Sequence, residues 1–242
     1  MCAIISNIPS ENTEIDVQKL AVFKKVLEAG SNNIKRVLES MMRCGVDNRA
    51  MRVEITDTYE VRNMLASSSS HHVVVSSGLD GDMVGKVVLV MRGRDFKAVC
   101  ELLSKAHPYA VLPGVSLEIL QKMIPDWVRM NSPSSSDSFK IREMMFDAAA
   151  ELANMVFSGY LGAVYSFLGL TTFHSPPQTS VGLKKLDLEY RLRPTSSKRQ
   201  ICLCTENHFV AWPCAFKIWF LLMPSEMTFK EALNRIEVVE SS

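Results

Sequence analysis

The sequence predicts an α+β protein in which long helices pack on an antiparallel sheet and the two halves of the chain share one architecture. Two long segments carry apolar residues at helical spacing, and each is followed by strand-like apolar runs and a shorter helix. A weak internal repeat relates the ends of the halves. A strand precedes Phe96-Lys97-Ala98 in the first half and Phe229-Lys230-Glu231-Ala232 in the second half.

The composition is that of an ordinary globular chain, with 242 residues, 47% hydrophobic residues and a net charge of +1. It excludes disorder for the bulk of the chain, which needs low hydrophobicity and high net charge. The small charge argues against broad nucleic-acid binding. No apolar run approaches the ~18 residues of a membrane span, and Met1–Pro9 makes a poor signal peptide. The six cysteines stand mostly in apolar segments and indicate a reducing cytoplasm.

The first half is predicted to span residues 15–105. It opens with a helix from Ile15 to Arg43, which Gly30 and the polar residues after it are expected to bend or break. Next come two short strand or loop segments, a hairpin with glycines in its connection and a closing helix, at Met51–Ile55, Thr58–Leu65, His72–Val75 with Val84–Met91, and Arg94–Lys105. His71 and His72 are expected to be exposed where the hairpin begins.

A Pro/Ser-rich connection over residues 106–138, with a helix-like piece at Ser116–Met130, leads to the second half. That half is predicted to span residues 139–238 and to open with a helix from Phe139 to Phe167. Three strands and a last helix follow, at Leu186–Leu192, Gln200–Thr205, Phe216–Leu222 and Thr228–Arg235. The chain, residues 1–242, is thus predicted to form a single domain of two halves.

The helix over Phe139–Phe167 carries a narrow polar stripe. At about 100° per residue, Glu151, Asn154 and Ser158 all fall within about 40° of Asp147 around the helix axis. The apolar neighbours, including Met155, are expected on the buried side. Such a stripe is in most proteins only a solvated face, so by itself it carries no functional weight.

The motif Asp147-x-x-x-Glu151-x-x-Asn154, followed at 22 and 23 residues by Pro176-Pro177, resembles the signature of the CheC/CheX/FliY family of chemotaxis phosphatases. The hairpin over Gly78–Val90 is similar to a second block of that family. Together the blocks cover most of the chain. The sequence departs from the family where an Ala-Gly pair commonly follows the asparagine, since it has Phe157 and Ser158 there.

This resemblance implies a CheC-like fold and a phosphatase that accelerates hydrolysis of the aspartyl phosphate on a phosphorylated CheY-like response regulator. An asparagine carboxamide can hold a water by one donor and one acceptor, so Asn154 is the candidate that orients the attacking water. The resemblance implies that Glu151 pairs with the active-site lysine of the regulator. Asp147, Ser158, Pro176 and Pro177 are the other predicted partner-binding residues. Mg²⁺ is expected on the regulator, and no cofactor or metal is expected in this chain.

One active helix is the CheX-like arrangement. In the first helix, sequence comparison places Lys24, Glu28 and Ser31 where Asp147, Glu151 and Asn154 stand, so a first site is degraded or absent. The alternative function is a non-catalytic CheC/FliM-like module that only binds a response regulator or a flagellar switch component. A small-ligand sensor is a third hypothesis, without a supporting pocket motif. Membrane and nucleic-acid partners are not expected, and a homodimer through a sheet edge stays open.

Overall fold

The structure is a computed structural model that describes residues 17–66, 72–106, 136–183 and 200–240. The helices in this part of the chain are α1 (Val17–Met42), α2 (Thr58–Ala66), α3 (Gly93–Ala106), α4 (Ser136–Leu168) and α5 (Glu226–Glu240). The strands are β1 (Asp47–Asp57), β2 (His72–Gly81), β3 (Gly85–Arg92), β4 (Thr172–His174), β5 (Gln178–Leu183), β6 (Ile201–Ala211) and β7 (Cys214–Pro224).

The strands form one seven-stranded sheet in the order β1-β6-β7-β3-β2-β4, with β5 also paired to β2. Every pairing is antiparallel. The two halves meet where β3 pairs with β7. The strands that follow the long helix of each half pair with a strand of the other half: β1 pairs with β6, and β4 and β5 pair with β2. This arrangement confirms the predicted α+β fold with two pseudo-symmetric halves.

The main core lies between one face of the sheet and the helices α1, α3, α4 and α5. Strand alternation sends Val87, Leu89 and Phe220 to this face, where they meet Phe23 of α1 and Phe157 of α4. On the opposite face, a smaller cluster joins apolar residues of α2 to the central strands, namely Val61, Leu65, Val74, Val88, Val90, Cys202, Cys204, Trp219, Leu221 and Met223. The long helices α1 and α4 therefore lie on one face of the sheet, next to each other.

The ends of α1 and α4 establish how the two helices correspond. Gly169 follows α4 with a φ of +60°, and the next N–H, of Leu170, donates to the carbonyl oxygen of Tyr165 at 2.9 Å. This is the Schellman closure that a left-handed residue after a helix permits. Arg43 follows α1 with a φ of +51°, so Arg43 and Gly169 occupy the same structural position.

Counting back from these ends places Lys25 opposite Glu151 and Glu28 opposite Asn154. The same count pairs Asn33 with Gly159, and the Asn33 Nδ2 donates to the Gly159 carbonyl at 3.1 Å, as expected of residues near a pseudo-two-fold axis. This register is three residues away from the one expected from sequence, which placed Glu28 opposite Glu151. The first helix thus carries a lysine and a glutamate where α4 carries glutamate and asparagine.

Two glycines allow α1 and α4 to approach each other. A Cβ on Gly30 would lie 2.8 Å from the ring of Tyr160, and a Cβ on Gly159 would lie 2.7 Å from the Val37 Cγ2. The break expected at Gly30 is therefore wrong: α1 runs without interruption from Val17 to Met42, and the glycine accommodates a neighbouring side chain.

Two other expectations need correction. Thr58–Leu65 is helix α2 rather than strand or loop, because the Asp57 carboxylate caps it by accepting the N–H groups of Tyr59 and Glu60 at 2.8 and 2.9 Å. His72 is buried rather than exposed, since it lies inside the sheet between β3 and β5.

Further differences concern what lies before and after α4. It begins at Ser136, inside the predicted connection 106–138, rather than at Phe139. Strands β4 and β5 were not predicted. The predicted helix at Ser116–Met130 and strand at Leu186–Leu192 lie outside the described residues, and the extents of the halves, 15–105 and 139–238, stay predictions.

Candidate functional site

The polar stripe lies on the exposed face of α4. Asp147, Glu151 and Ser158 are exposed and Asn154 is half-buried. The opposite side of the helix is buried through Ala149, Leu152, Ala153, Val156, Phe157, Tyr160 and Val164. The predicted arrangement of the four polar residues on one solvent-facing side is therefore confirmed, and the helix presents them from a rigid element.

One apolar residue joins the exposed face. Met155, expected on the buried side, has 36% of its surface exposed and follows Glu151 by four residues, one turn along the helix. The buried arc is centred further around the helix than expected because it faces both the sheet and α1. A partner that docks on the stripe therefore meets an apolar, adaptable side chain beside the carboxylates.

The side-chain polar groups of Glu151 and Asn154 are available to a partner. No hydrogen bond or ion pair joins either side chain to another of the residues that the structure describes. In the same part of the chain, Asp147 also has no such partner. The Asn154 carboxamide thus keeps one donor group and one acceptor group available to a water or to a partner. This availability is what an orienting asparagine requires.

The C-terminal end of the stripe contacts β4. The Ser158 hydroxyl donates to the Asn154 carbonyl at 2.8 Å and lies 3.1 Å from the His174 Nε2. The His174 Nδ1 is 3.1 Å from the Ser175 carbonyl, and its ring lies edge-on to Phe157 with centroids 5.9 Å apart. His174 is therefore adjacent to the motif.

Pro176 and Pro177 lie in the break between β4 and β5, where Pro176 is exposed and Pro177 is half-buried. The preceding residue anchors this break, because the Ser175 N–H donates to the Gly78 carbonyl at 2.9 Å and the Ser175 Oγ accepts the Gly78 N–H at 3.0 Å. Thr179, just after the prolines, donates to the Phe146 carbonyl of α4 at 3.3 Å. The proline turn is therefore held beside the polar stripe.

The departure at residues 157 and 158 leaves the exposed face open. Phe157 is fully buried and meets Phe220 edge-on with centroids 5.7 Å apart, so its ring belongs to the core. Ser158 is small and exposed. Gly159 is required for the contact with α1 rather than with a partner. Of the departing positions, only Ser158 lies where a docked protein would touch it.

The described part of the chain offers no metal site, and the pair Cys202 and Cys204 lies away from the stripe. Within residues 17–66, 72–106, 136–183 and 200–240, no three His, Cys, Asp or Glu side chains form a group that could hold a metal ion. Cys202 and Cys204 are buried on the opposite face of the sheet, and burial raises the pKa of both thiols well above its ordinary value. They therefore stay protonated and inert. None of the described helices has the length and apolar character needed to cross a membrane.

Comparison with solved structures gives the fold a context. The chain is similar to FliY from Thermotoga maritima, with a TM-score of 0.61 and 14% identity over 92% of this chain and 98% of that one. It is similar to FliM in a FliM–SpeE complex from H. pylori, with a TM-score of 0.57 and 11% identity over 93% and 97% of the two chains. The FliM middle domain of Vibrio alginolyticus matches with a TM-score of 0.50 and 13% identity over 82% and 93%.

No family model matches the sequence, and no curated protein matches it at a significant level. The chain therefore has the fold shared by FliY and the FliM middle domain, at sequence identities where only the fold is common. The CheC/CheX/FliY resemblance seen in the sequence is confirmed at that level.

Proposed function

We propose that this protein is a phosphatase that accelerates hydrolysis of the aspartyl phosphate on a CheY-like response regulator. The observation that carries the proposal is the uncommitted pair Glu151 and Asn154 on the exposed face of α4. The two residues stand three apart and so lie on the same side of the helix. We infer a cytoplasmic location, because such a regulator acts there.

The proposed hydrolysis requires few chemical groups from this chain. Phosphoryl transfer proceeds through a loose transition state, so catalysis is mainly positioning and charge stabilisation. The Asn154 carboxamide can accept a hydrogen bond from a water and donate one to the transferring group, which fixes the direction of attack. Orientation of this kind removes several kcal/mol from a barrier in favourable cases. The metal ion and the phosphorylated aspartate both belong to the partner.

Docking is the second requirement. Glu151 is placed to pair with a cation of the regulator, which we take to be its active-site lysine. A charge pair at a partly exposed interface mainly supplies orientation and specificity. Met155, Ser158 and the turn at Pro176 and Pro177 offer small or flat contacts around it. Asp147 lies one turn before Glu151 and extends the negative charge of the stripe.

A non-catalytic binding module is the second candidate, and the complexes among the structural neighbours support it. FliM appears among them in complexes with FliG and with SpeE, at TM-scores of 0.51 and 0.57. A protein of this fold can therefore take part in complexes with other proteins. A module that only binds would not need an asparagine with an available carboxamide at position 154, so this residue favours the phosphatase.

The test measures the lifetime of phosphorylated CheY-like regulators with and without this protein. We expect the wild type to shorten the lifetime of at least one regulator. Binding of a beryllofluoride-loaded regulator is measured in parallel. Binding without any change in lifetime would replace the phosphatase with the binding module. Absence of both would reject the phosphatase and leave only a module that binds a flagellar switch component.

A further inference from the structure

Ser158 and His174 form a hydrogen-bonded pair at the C-terminal end of the stripe. The Ser158 Oγ lies 3.1 Å from the His174 Nε2, and the His174 Nδ1 lies 3.1 Å from the Ser175 carbonyl oxygen. Both separations are ordinary hydrogen-bond lengths. Ser158 also stands at one of the two positions where the motif departs from the family. The roles proposed for Glu151 and Asn154 make no use of this pair.

The Ser175 carbonyl determines which nitrogen of the neutral ring carries the proton. A carbonyl oxygen only accepts hydrogen bonds, so the Nδ1 must donate to Ser175. The Nε2 of the neutral ring is then an acceptor, and its lone pair faces the Ser158 hydroxyl. That hydroxyl also lies 2.8 Å from the Asn154 carbonyl oxygen, so rotation about its C–O bond turns its single proton to either acceptor. A neutral His174 thus presents a base to the serine.

Ser158 is within reach of the water that Asn154 is proposed to hold. Residues four apart on a helix have Cβ atoms about 5–6 Å apart and lie on the same side. A water that is hydrogen-bonded to the Asn154 carboxamide, at about 3 Å, can therefore also contact the Ser158 hydroxyl. The carboxamide has no basic group for the proton that this water loses when it attacks.

We propose that Ser158 and His174 form a proton relay for the attacking water, in which the Nε2 of the neutral His174 is the final acceptor. The inference rests on the proposed phosphatase function. As the water oxygen bonds to phosphorus, a water proton passes to the Ser158 Oγ and the Ser158 proton passes to the Nε2. The bond between phosphorus and the aspartate oxygen breaks, and the carboxylate leaves with the electron pair. The imidazolium then returns its proton to solvent.

The ionisable groups on the elements around the ring leave its two nitrogens to Ser158 and Ser175. They come from α4, from β2 with its turn and from α5, namely Asp147, Glu151, Tyr165, Asp80, Asp82 and Arg235. Within the described ranges, none of them forms a hydrogen bond or an ion pair with the ring. Asp82 is instead paired with Arg235 at 3.6 Å, and burial raises the pKa of Tyr165, which stays neutral. Because histidine titrates near neutral pH, the relay requires a pH at which the ring is neutral.

The first measurement needs no partner. NMR of the full chain labelled with ¹⁵N-histidine identifies, at pH 8.5, which ring nitrogen of His174 carries the proton. We expect the proton on Nδ1 and a bare Nε2. His208 of β6 is the internal control, because its Nε2 lies 2.9 Å from a carboxylate oxygen of Glu206 and must carry the proton there. A His174 ring with its proton on Nε2 overturns the proposal.

The second measurement follows dephosphorylation of a CheY-like regulator from pH 5.5 to 8.5, relative to the rate of the regulator alone at each pH. His174→Gln keeps an acceptor for the Ser158 hydroxyl but cannot take up a proton. We expect kcat to fall about ten-fold at pH 7.5 with KM nearly unchanged, a modest loss for a base because the transition state is loose. The wild-type rate should rise with pH as the ring becomes neutral, and the variant should lack this rise.

The double variant tests whether the two residues act in one relay. Ser158→Ala should lose the same factor as His174→Gln, and the two changes together should be no slower than either alone. Ser166→Ala, at an exposed serine two turns further along α4, and His208→Gln should match the wild type. Losses that multiply in the double variant, or a His174→Gln variant with the wild-type pH profile, refute the relay alone. A wild type that accelerates dephosphorylation at no pH refutes the proposed function and the relay together.

Discussion

Helices α1 and α4 pack side by side on the same face of the sheet, and their ends give a residue-by-residue correspondence. On that correspondence the exposed faces differ in charge. Lys25 stands opposite Glu151 and Glu28 opposite Asn154, and Arg36 is exposed where α4 has Gly162. The buried faces are alike, since both helices fill the core with apolar side chains. The two halves thus share their packing, and only α4 carries the polar motif.

The difference between the buried and the exposed faces shows which residues the packing of α1 against α4 constrains. Packing between the halves requires both helices, because Gly30 and Gly159 each make room for a side chain of the other helix. The exposed residues take no part in this packing, so the polar residues of the two helices can differ. Substitutions at equivalent positions of α1 and α4 test whether only α4 carries the functional surface.

The largest effect is expected at the asparagine. Asn154→Ala removes the carboxamide that orients water, so acceleration of regulator dephosphorylation should fall about 100-fold or more. Stability should hardly change, because alanine suits a helix interior. The matched control is Glu28→Ala at the equivalent position of α1, which should leave turnover intact. The assay follows loss of the phosphoryl group, and equal losses in both variants would contradict the comparison.

The second effect concerns the packing that the halves share. Gly30→Ala places a Cβ against the fully buried Tyr160 ring, which cannot withdraw because it also lies against Phe220. We expect a loss of about 1–2 kcal/mol in the free energy of unfolding, since overpacking exceeds the gain in helix propensity. Gly162→Ala has open space and should gain up to about 1 kcal/mol. Denaturant unfolding measures both, and a stabilised Gly30→Ala would show that the contact is not tight.

A third pair separates docking from chemistry. Glu151→Ala removes the proposed contact to a cation of the regulator, so affinity for the beryllofluoride-loaded form should weaken about ten-fold, along with turnover. Lys25→Ala at the equivalent place in α1 should leave affinity unchanged. Titration calorimetry gives both numbers. Equal weakening by the two variants would mean that the partner covers both helices.

The smallest expected effect is a gain. Lys25→Glu with Glu28→Asn copies the motif onto α1, and the extra site should raise turnover by no more than about two-fold over the wild type, because one additional docking helix doubles the sites at most. Steady-state rates measured in an Asn154→Ala background isolate the new site. Full wild-type activity there would mean that the motif alone is sufficient.

Several features of the molecule could be predicted from the sequence. The stripe at residues 147, 151, 154 and 158 follows from the angle per residue of a helix, and the structure exposes three of the four residues and leaves Asn154 half-buried. Met155 was misplaced because helical periodicity gives an angle but not the direction of the core, which α1 and the sheet set together. The strand or loop expected at Thr58–Leu65 is helical because Asp57 caps it, a local signal that the apolar pattern obscured.

The sequence by itself determined the periodic elements, the α+β class and the exposed motif, because these depend on residues near each other along the chain. Only the tertiary structure decided the register between α1 and α4, the burial of His72 and the contact of His174 with Ser158. The first and last of these join residues 126 and 16 positions apart. Such contacts arise from the way β4, β5 and the two long helices pack around one sheet, and no local pattern records that packing.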